Sequence, residues 1–231
     1  MSMPKIYLSP AAHGRDNPCG YDSACGENIH CNLYMDELEP YLLACGFAVK
    51  RNPKDRTGDR LKEAIAESNA WGADLHYVAH TNAGGGAYSL LMVYDQGTAY
   101  GYAEKLAARR REIYAGNVKI SVQPQWDELR LTAAPAVYDE MVFHDNAKDI
   151  AWFHEHLREM AEATAKAICD MFGAAFVDPY AKPAEPAPEP ESGGDVWYRV
   201  QVGAFREKAN ADRLCAELQG KGYAAFVKAG A

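Results

Sequence analysis

The chain has 231 residues, of which 48% are hydrophobic and 24% are charged, with a formal net charge of -8. This length allows one domain with a full core and a small second unit. The acidic balance argues against a nucleic-acid partner, because phosphate contacts need clustered Lys and Arg. The short basic run at residues 109–111 is interpreted as the solvated end of a helix.

The N-terminus and the cysteines bear on where such a chain acts. No apolar stretch approaches the ~20 residues that span a bilayer, and MSMPKIYLSP lacks the pattern of a secretory signal peptide. The six cysteines are expected to be reduced thiols of a protein made in the cytoplasm. An alternative remains for Cys19, Cys25, Cys31 and the neighbouring His30, which could bind a second metal.

The clearest boundary is the segment AKPAEPAPEPESGGD at residues 181–195, which is rich in proline and acidic residues and cannot build a core. This segment divides the chain into three predicted parts: a domain large enough to be an enzyme at 1–178, a linker at 179–195 and a small unit at 196–231.

Before the linker, apolar strand patterns alternate with helical ones, which is typical of an α/β domain whose mostly parallel sheet is covered by helices. Pro40 is expected to kink or split the first helix, Gly46 to end it, Asp59 to cap the second and Asn146 to cap a long last helix. The strands are predicted at 5–9, 47–50, 74–79, 88–94, 118–122 and 136–143, and the helices at 28–45, 59–71, 98–114 and 146–172.

After the linker, the pattern predicts a strand at 197–202, a helix at 207–219 and a strand at 224–228. This small β-α-β half-module is of a size at which a single unit buries too little surface to be stable alone.

Four residues qualify for a hydrolytic zinc site, which needs three protein ligands, an open position for water and a carboxylate that moves protons. His13 follows the first strand, Glu27 precedes the first helix, His80 ends the third strand and Glu140 lies within the last strand. In such sheets the carboxyl ends of the strands gather the functional groups. Glu140 is the strongest single indication, because an acid within an apolar strand is costly unless it is paired or functional.

Other histidines are also possible ligands. His76 shares a strand face with His80 and is a weaker candidate. His154 and His156 lie two apart on a predicted helix and are interpreted as surface residues.

The four segments KIYLSPAAHGRDN, ENIHCNLYMDELEPYLLACGF, VAHTNA and PAVYDEMVFHDNAKD resemble, in order and spacing, the amidase-3 family of bacterial cell-wall amidases over residues 4–173. The resemblance implies an N-acetylmuramoyl-L-alanine amidase of peptidoglycan, with Zn²⁺ bound by His13, Glu27 and His80 and with Glu140 as the catalytic acid/base. Tyr138 stands where the family usually has an aliphatic residue.

The tail WYRVQVGAF and the helix after it resemble half of a SPOR domain, a module that binds glycan strands. The hypothesis is that two chains pair their halves in a homodimer; the alternative is a partly disordered tail. The missing signal peptide fits a phage endolysin released through a holin, or a sporulation amidase released by mother-cell lysis. Two other functions stay open: a non-catalytic peptidoglycan-binding protein with the amidase fold, and a zinc peptidase.

Overall fold

The structure of the protein is a computed structural model. It describes residues 3–12, 17, 19, 26–53, 60–181, 200–205 and 207–228. The chain divides into two compact units, Met1–Lys182 and Pro183–Ala231. The division falls inside the predicted linker.

The first unit is built on a six-stranded sheet with the strand order β2-β1-β3-β6-β4-β5. Four of the five strand pairings are parallel, and the pairing of β4 with β6 is antiparallel. The α/β class with a mostly parallel sheet is therefore confirmed. The strands are β1 (Lys5–Pro10), β2 (Ala48–Arg51), β3 (Leu75–Asn82), β4 (Tyr88–Val93), β5 (Asn117–Val122) and β6 (Ala136–Phe143).

Helices connect and cover these strands. They are α1 (Glu27–Ala44), α2 (Leu61–Trp71), α3 (Thr98–Ile113), α4 (Asp127–Arg130), α5 (Ala147–Glu155) and α6 (Leu157–Phe172). Asn146 caps α5 as predicted, its side chain accepting hydrogen bonds from the amides of Lys148 and Asp149. Among the described residues, none of the helices combines the length and apolar character that a bilayer span requires.

Three details of the helices differ from the prediction. Pro40 lies inside α1 without splitting it, because Leu38, Tyr41 and Leu42 around it are buried in the core and their packing outweighs one lost backbone hydrogen bond. The long last helix is interrupted at His156, where the backbone leaves helical geometry. Helix α2 begins at Leu61 after Arg60, and the expected cap Asp59 lies outside the described residues.

The two faces of the sheet are packed differently. The larger core lies on the face that meets α1, α3 and α6 and includes Leu8, Tyr77 and Val137. The other face carries a small cluster formed by Val78, Met92, Leu129, Ala136 and Tyr138. Because side chains alternate along a strand, Glu140 and His80 belong to this second, less covered face.

Arg110 corrects the interpretation of the basic run as solvated. It is only 2% exposed, and its Nη2 lies 2.7 Å from Oδ2 of the fully buried Asp139. The same carboxylate accepts a hydrogen bond from the hydroxyl of Tyr77 at 2.6 Å, and Arg110 also donates to the hydroxyl of Ser89. The middle arginine of a helix end thus faces inward, because its position on the helix turns it toward the sheet.

The cysteines also depart from the expectation in part. Cys31, Cys45, Cys169 and Cys215 are reduced thiols, as predicted. Cys19 is disulfide-bonded, and its partner lies outside the described residues, so the expectation of reduced thiols is wrong for this position. Sequence spacing alone does not tell which cysteines come close enough in space to pair.

The second unit contains the predicted helix, α7 (Lys208–Gly220). In its described residues 200–205 and 207–228 the chain forms no strand, so the strands expected at 200–202 and 224–228 are wrong there; residues 197–199 of the first lie outside. Val200, Val202, Tyr223 and Phe226 are exposed. A lone pair of strands without further partners leaves too much surface and too many backbone groups uncovered.

Candidate active site

The site is organised by the pairing of β3 with β6. His80 and Glu140 are direct partners in the parallel register of these strands. Partners in register point to the same face of a sheet, so the imidazole and the carboxylate lie side by side near the carboxyl ends of both strands. This edge is where α/β sheets place their functional groups.

Glu27 enters this edge as the first residue of α1. Its side chain is only 3% exposed, and Oε1 lies 2.8 Å from Nδ1 of His80. The amide of Thr81 donates to the same oxygen at 3.2 Å, and Nδ2 of Asn17 donates to Oε2 at 2.6 Å. The carboxylate is therefore fixed in orientation beside the imidazole.

Glu140 is buried in an environment that disfavours its charge. It is 8% exposed, and its Oε2 has no hydrogen-bond partner in the described part of the chain. Burial raises the pKa of Glu140 to about 8, with further contributions from the negative charges of Glu27 and Asp139. A carboxyl group with a pKa near neutrality can both accept and return a proton, which suits general acid/base work.

The residues present fit a divalent cation. Two of the three expected ligands, Glu27 and His80, place a carboxylate and an imidazole within one hydrogen-bond length of each other, and beside them lies the buried Oε2 of Glu140, which has no hydrogen-bond partner in the described part of the chain. The third expected ligand, His13, lies outside the described residues. Within the described ranges, no group of three or more His, Cys, Asp or Glu side chains is placed to hold a metal.

The residues that support Glu27 are not among those predicted from the sequence. Thr81 bonds to Glu27 through its amide and to the ring of His144 through its hydroxyl, at 2.9 Å. Asn17 lies ten residues before Glu27 in the chain, and its Nδ2 donates to Oε2 of Glu27. Only their positions in the sequence could have indicated them: Thr81 directly follows His80, and Asn17 follows β1.

The rival histidines lie elsewhere. His76 is completely buried, and its Nε2 lies 2.9 Å from Oε1 of Glu128. His156 contacts the carbonyl of Trp152, and His154 packs edge-on against His30, so neither is simply a surface residue. His30 lies 3.4 Å from the sulfur of Cys19, which is engaged in its disulfide and is thereby unsuited to bind a metal.

A cavity of about 230 Å³ opens beside His80. Its wall includes Tyr138, whose ring stacks on the imidazole of His80 with centroids 4.4 Å apart, and Trp126, whose ring meets Tyr138 edge-on at 4.9 Å. Ser9, Asp127 and Glu128 supply polar groups to the lining. Tyr138, which stands where the amidase-3 family usually has an aliphatic residue, therefore lines the cavity next to the candidate ligands. Trp126 was not predicted to lie there.

Known proteins resemble both parts of the chain. N-acetylmuramoyl-L-alanine amidase CwlM of Bacillus licheniformis is 30% identical over 182 residues, covering 74% of this chain and 64% of the relative. The sporulation-specific N-acetylmuramoyl-L-alanine amidase of Bacillus subtilis is 28% identical, with coverage of 74% and 64%. A family model described as "SPOR domain" matches residues 162–229, a span that starts within α6.

Solved structures share the fold. The amidase AmiC2 of Nostoc punctiforme superimposes with a TM-score of 0.65 at 15% identity, covering 74% of this chain and 97% of that one. The catalytic domain of the amidase CwlV from Paenibacillus polymyxa gives 0.65 at 15% identity, with coverage of 75% and 100%. The expected resemblance to N-acetylmuramoyl-L-alanine amidases is confirmed in sequence and in fold, and a SPOR match lies in the C-terminal region. The chain spans about 64% of the length of the curated relatives.

Proposed function

We propose that this protein hydrolyses the amide bond between N-acetylmuramic acid and L-alanine in peptidoglycan, using Zn²⁺ held by His13, Glu27 and His80. The observation that carries the proposal is the meeting of Glu27 and His80 beside the buried Glu140, in the fold shared with amidases. The similarity to two curated amidases supports the same activity.

The chemistry divides between the metal and the protein. When bound, Zn²⁺ supplies a Lewis acid for the amide carbonyl and lowers the pKa of a water molecule. Glu140 accepts the proton of the attacking water and then delivers it to the nitrogen of the departing alanine. In the metal-free protein, burial together with Glu27 and Asp139 raises the pKa of Glu140 to about 8. The charge of a bound cation would lower that pKa toward neutrality, so that the proton can be transferred in both directions.

The protein's other contribution is to hold these groups in place. Asn17 and Thr81 fix the two oxygens of Glu27, and Tyr138 covers one face of the His80 ring. Outer contacts of this kind orient metal ligands and raise affinity.

The C-terminal unit is proposed to bind glycan strands of the wall, supported by the SPOR match. Its exposed Val200, Val202 and Phe226 are the surface that a second copy of this chain would cover in a homodimer. The solution mass at micromolar concentration tests the pairing, and a strict monomer would rule it out. The named relative from Bacillus subtilis favours wall lysis during sporulation over action as a phage endolysin; release would follow mother-cell lysis in the first case and a holin in the second.

The activity is tested by digesting purified peptidoglycan with the zinc-loaded protein and identifying the new amino groups by mass spectrometry, with and without a chelator. The expected product is a stem peptide with a free L-alanine N-terminus, formed only without the chelator. Turbidity loss with a different amino terminus would indicate a zinc peptidase instead. Binding without any cleavage would indicate a non-catalytic wall-binding protein.

A further inference from the structure

The cavity beside His80 has an outer wall that the reaction above does not use. His80, Tyr138 and Trp126 form a series of rings, each in contact with the next, that leads away from the candidate ligands. Tyr138 is almost fully buried, whereas the indole of Trp126 is 37% exposed. The cavity therefore begins at the reacting groups and ends at an accessible aromatic surface.

The loop that carries Trp126 is anchored to the sheet. Trp126 directly precedes α4, and Glu128 in that helix accepts a hydrogen bond from the hydroxyl of Ser9 in β1 and contacts Nε2 of His76 in β3 at 2.9 Å. The side chain of Asn69 in α2 bonds to the carbonyl of Leu131 just after α4. Three separate elements thus hold one short helix.

This anchoring costs folding free energy, because it buries polar groups. Glu128 and His76 are both buried, and Nδ1 of His76 has no partner within the described residues. Burying such groups costs free energy unless every polar atom is satisfied. The result is an aromatic wall held rigid before any ligand arrives, which lowers the entropy that a ligand must overcome on binding.

We propose that this cavity is the subsite for the pyranose ring of the muramic acid residue whose amide is cleaved; the inference rests on the proposed amidase function. A pyranose presents an apolar face of C–H groups that packs on an aromatic ring, and Trp126 offers such a surface. Its hydroxyl groups donate hydrogen bonds, and the exposed carboxylate of Asp127 in the lining accepts them.

Size and charge favour one sugar ring over the stem peptide. A volume of about 230 Å³ is below the roughly 300–1,000 Å³ of sites for drug-sized ligands, so it takes one ring-sized group. The lining carries two carboxylates, that of Asp127, which pairs with Arg130 at 2.5 Å, and that of Glu128, which contacts Nε2 of His76, against one guanidinium. This balance disfavours the carboxylates of a stem peptide. The guanidinium of Arg60, which also lines the cavity, is paired with Glu63 at 3.0 Å. Because His80 lines the cavity as well, a ring bound there stays within the short lactyl link of the scissile carbonyl.

The test compares two substrates that differ only in the sugar: N-acetylmuramyl-L-alanyl-D-isoglutamine, and D-lactyl-L-alanyl-D-isoglutamine, which lacks the pyranose. The zinc-loaded full chain is expected to have a kcat/KM about tenfold higher for the first. Trp126→Ala is expected to bring the ratio of the two kcat/KM values close to one, and Trp126→Phe to give an intermediate ratio. Leu131→Ala, on the same loop but outside the cavity lining, keeps the wild-type ratio.

A wild-type ratio near one, or a Trp126→Ala variant that loses the same factor on both substrates, overturns the proposal, because the indole then contacts the peptide or only supports the loop. Binding of the two compounds to the Glu140→Gln variant, measured by calorimetry, separates this from the amidase function. If neither compound is hydrolysed by the wild type, the proposed function fails. Tighter binding of the muramyl compound, weakened by Trp126→Ala, still supports the subsite, and equal binding of the two compounds still overturns it.

Discussion

Oε1 of Glu27 and Nδ1 of His80 lie 2.8 Å apart although 53 positions separate the two residues in the chain. Helix α1 and strand β3 bring them together at one edge of the sheet, next to Glu140. A carboxylate and an imidazole held at this distance, with the buried carboxyl group of Glu140 beside them, are the types of group that bind zinc and serve it in hydrolytic sites.

Glu27→Gln is expected to weaken zinc binding by more than about tenfold, because the amide keeps the shape of the side chain but removes the negative charge of a ligand. Competition with a chromophoric chelator measures the affinity. Glu104→Gln, an exposed glutamate on α3, serves as the matched control and should bind zinc like the wild type. Equal affinities for both variants would show that Glu27 is not a ligand.

Arg110→Met should lower the free energy of unfolding by about 3–5 kcal/mol, because it leaves the charge of Asp139 buried without its partner. The double variant Arg110→Met/Asp139→Val replaces both charges by apolar groups and should regain most of that loss. Urea denaturation of the full chain measures the stabilities.

The control for this pair is Arg109→Met. Arg109 pairs with Asp170 at the surface, so its loss should cost no more than about 1 kcal/mol. A double variant as unstable as Arg110→Met alone would contradict the account, since the penalty would then not come from an unpaired charge.

Glu140 should make the metal-free protein less stable as the pH rises. Its folded-state pKa of about 8 lies above the reference value of 4.5, so the folded state holds a proton that the unfolded chain has lost. The stability linked to this proton is complete below pH 4.5 and decreases as the pH rises through 8. Thermal unfolding in the presence of a chelator should show this decrease in the wild type.

The side chain of Glu140→Gln cannot ionise, so this variant should not lose stability in this way. Its melting temperature minus that of the wild type should therefore increase from pH 5 to pH 8. A difference that does not change with pH would mean that the carboxyl group titrates normally.

The sequence predicted the strands of the first unit and the grouping of Glu27, His80 and Glu140 well, because alternating patterns and strand ends are local signals. It could not predict Arg110 as a buried residue, since its partner Asp139 lies 29 positions away and only the packing of α3 on β6 brings them together. The persistence of α1 through Pro40 likewise depends on tertiary packing.

The aromatic wall could not be predicted from the sequence for the same reason. Tyr138 was visible only as a departure from an aliphatic pattern, and Trp126 approaches it because Glu128 bonds to Ser9 and His76 from distant strands. The prediction of strands in the second unit was wrong for a different reason. The apolar and polar residues alternate as they do in a sheet, but the described residues of this unit contain no further strand with which they could pair.

The most direct test of the central claim is mass-spectrometric analysis of peptidoglycan treated with the zinc-loaded wild type, with Glu140→Gln and with Glu104→Gln, together with the zinc content of each protein. We expect equal zinc content in all three, stem peptides with free L-alanine from the wild type and from Glu104→Gln, and a rate at least about 100-fold lower for Glu140→Gln. Release of these peptides by Glu140→Gln at the wild-type rate would contradict it.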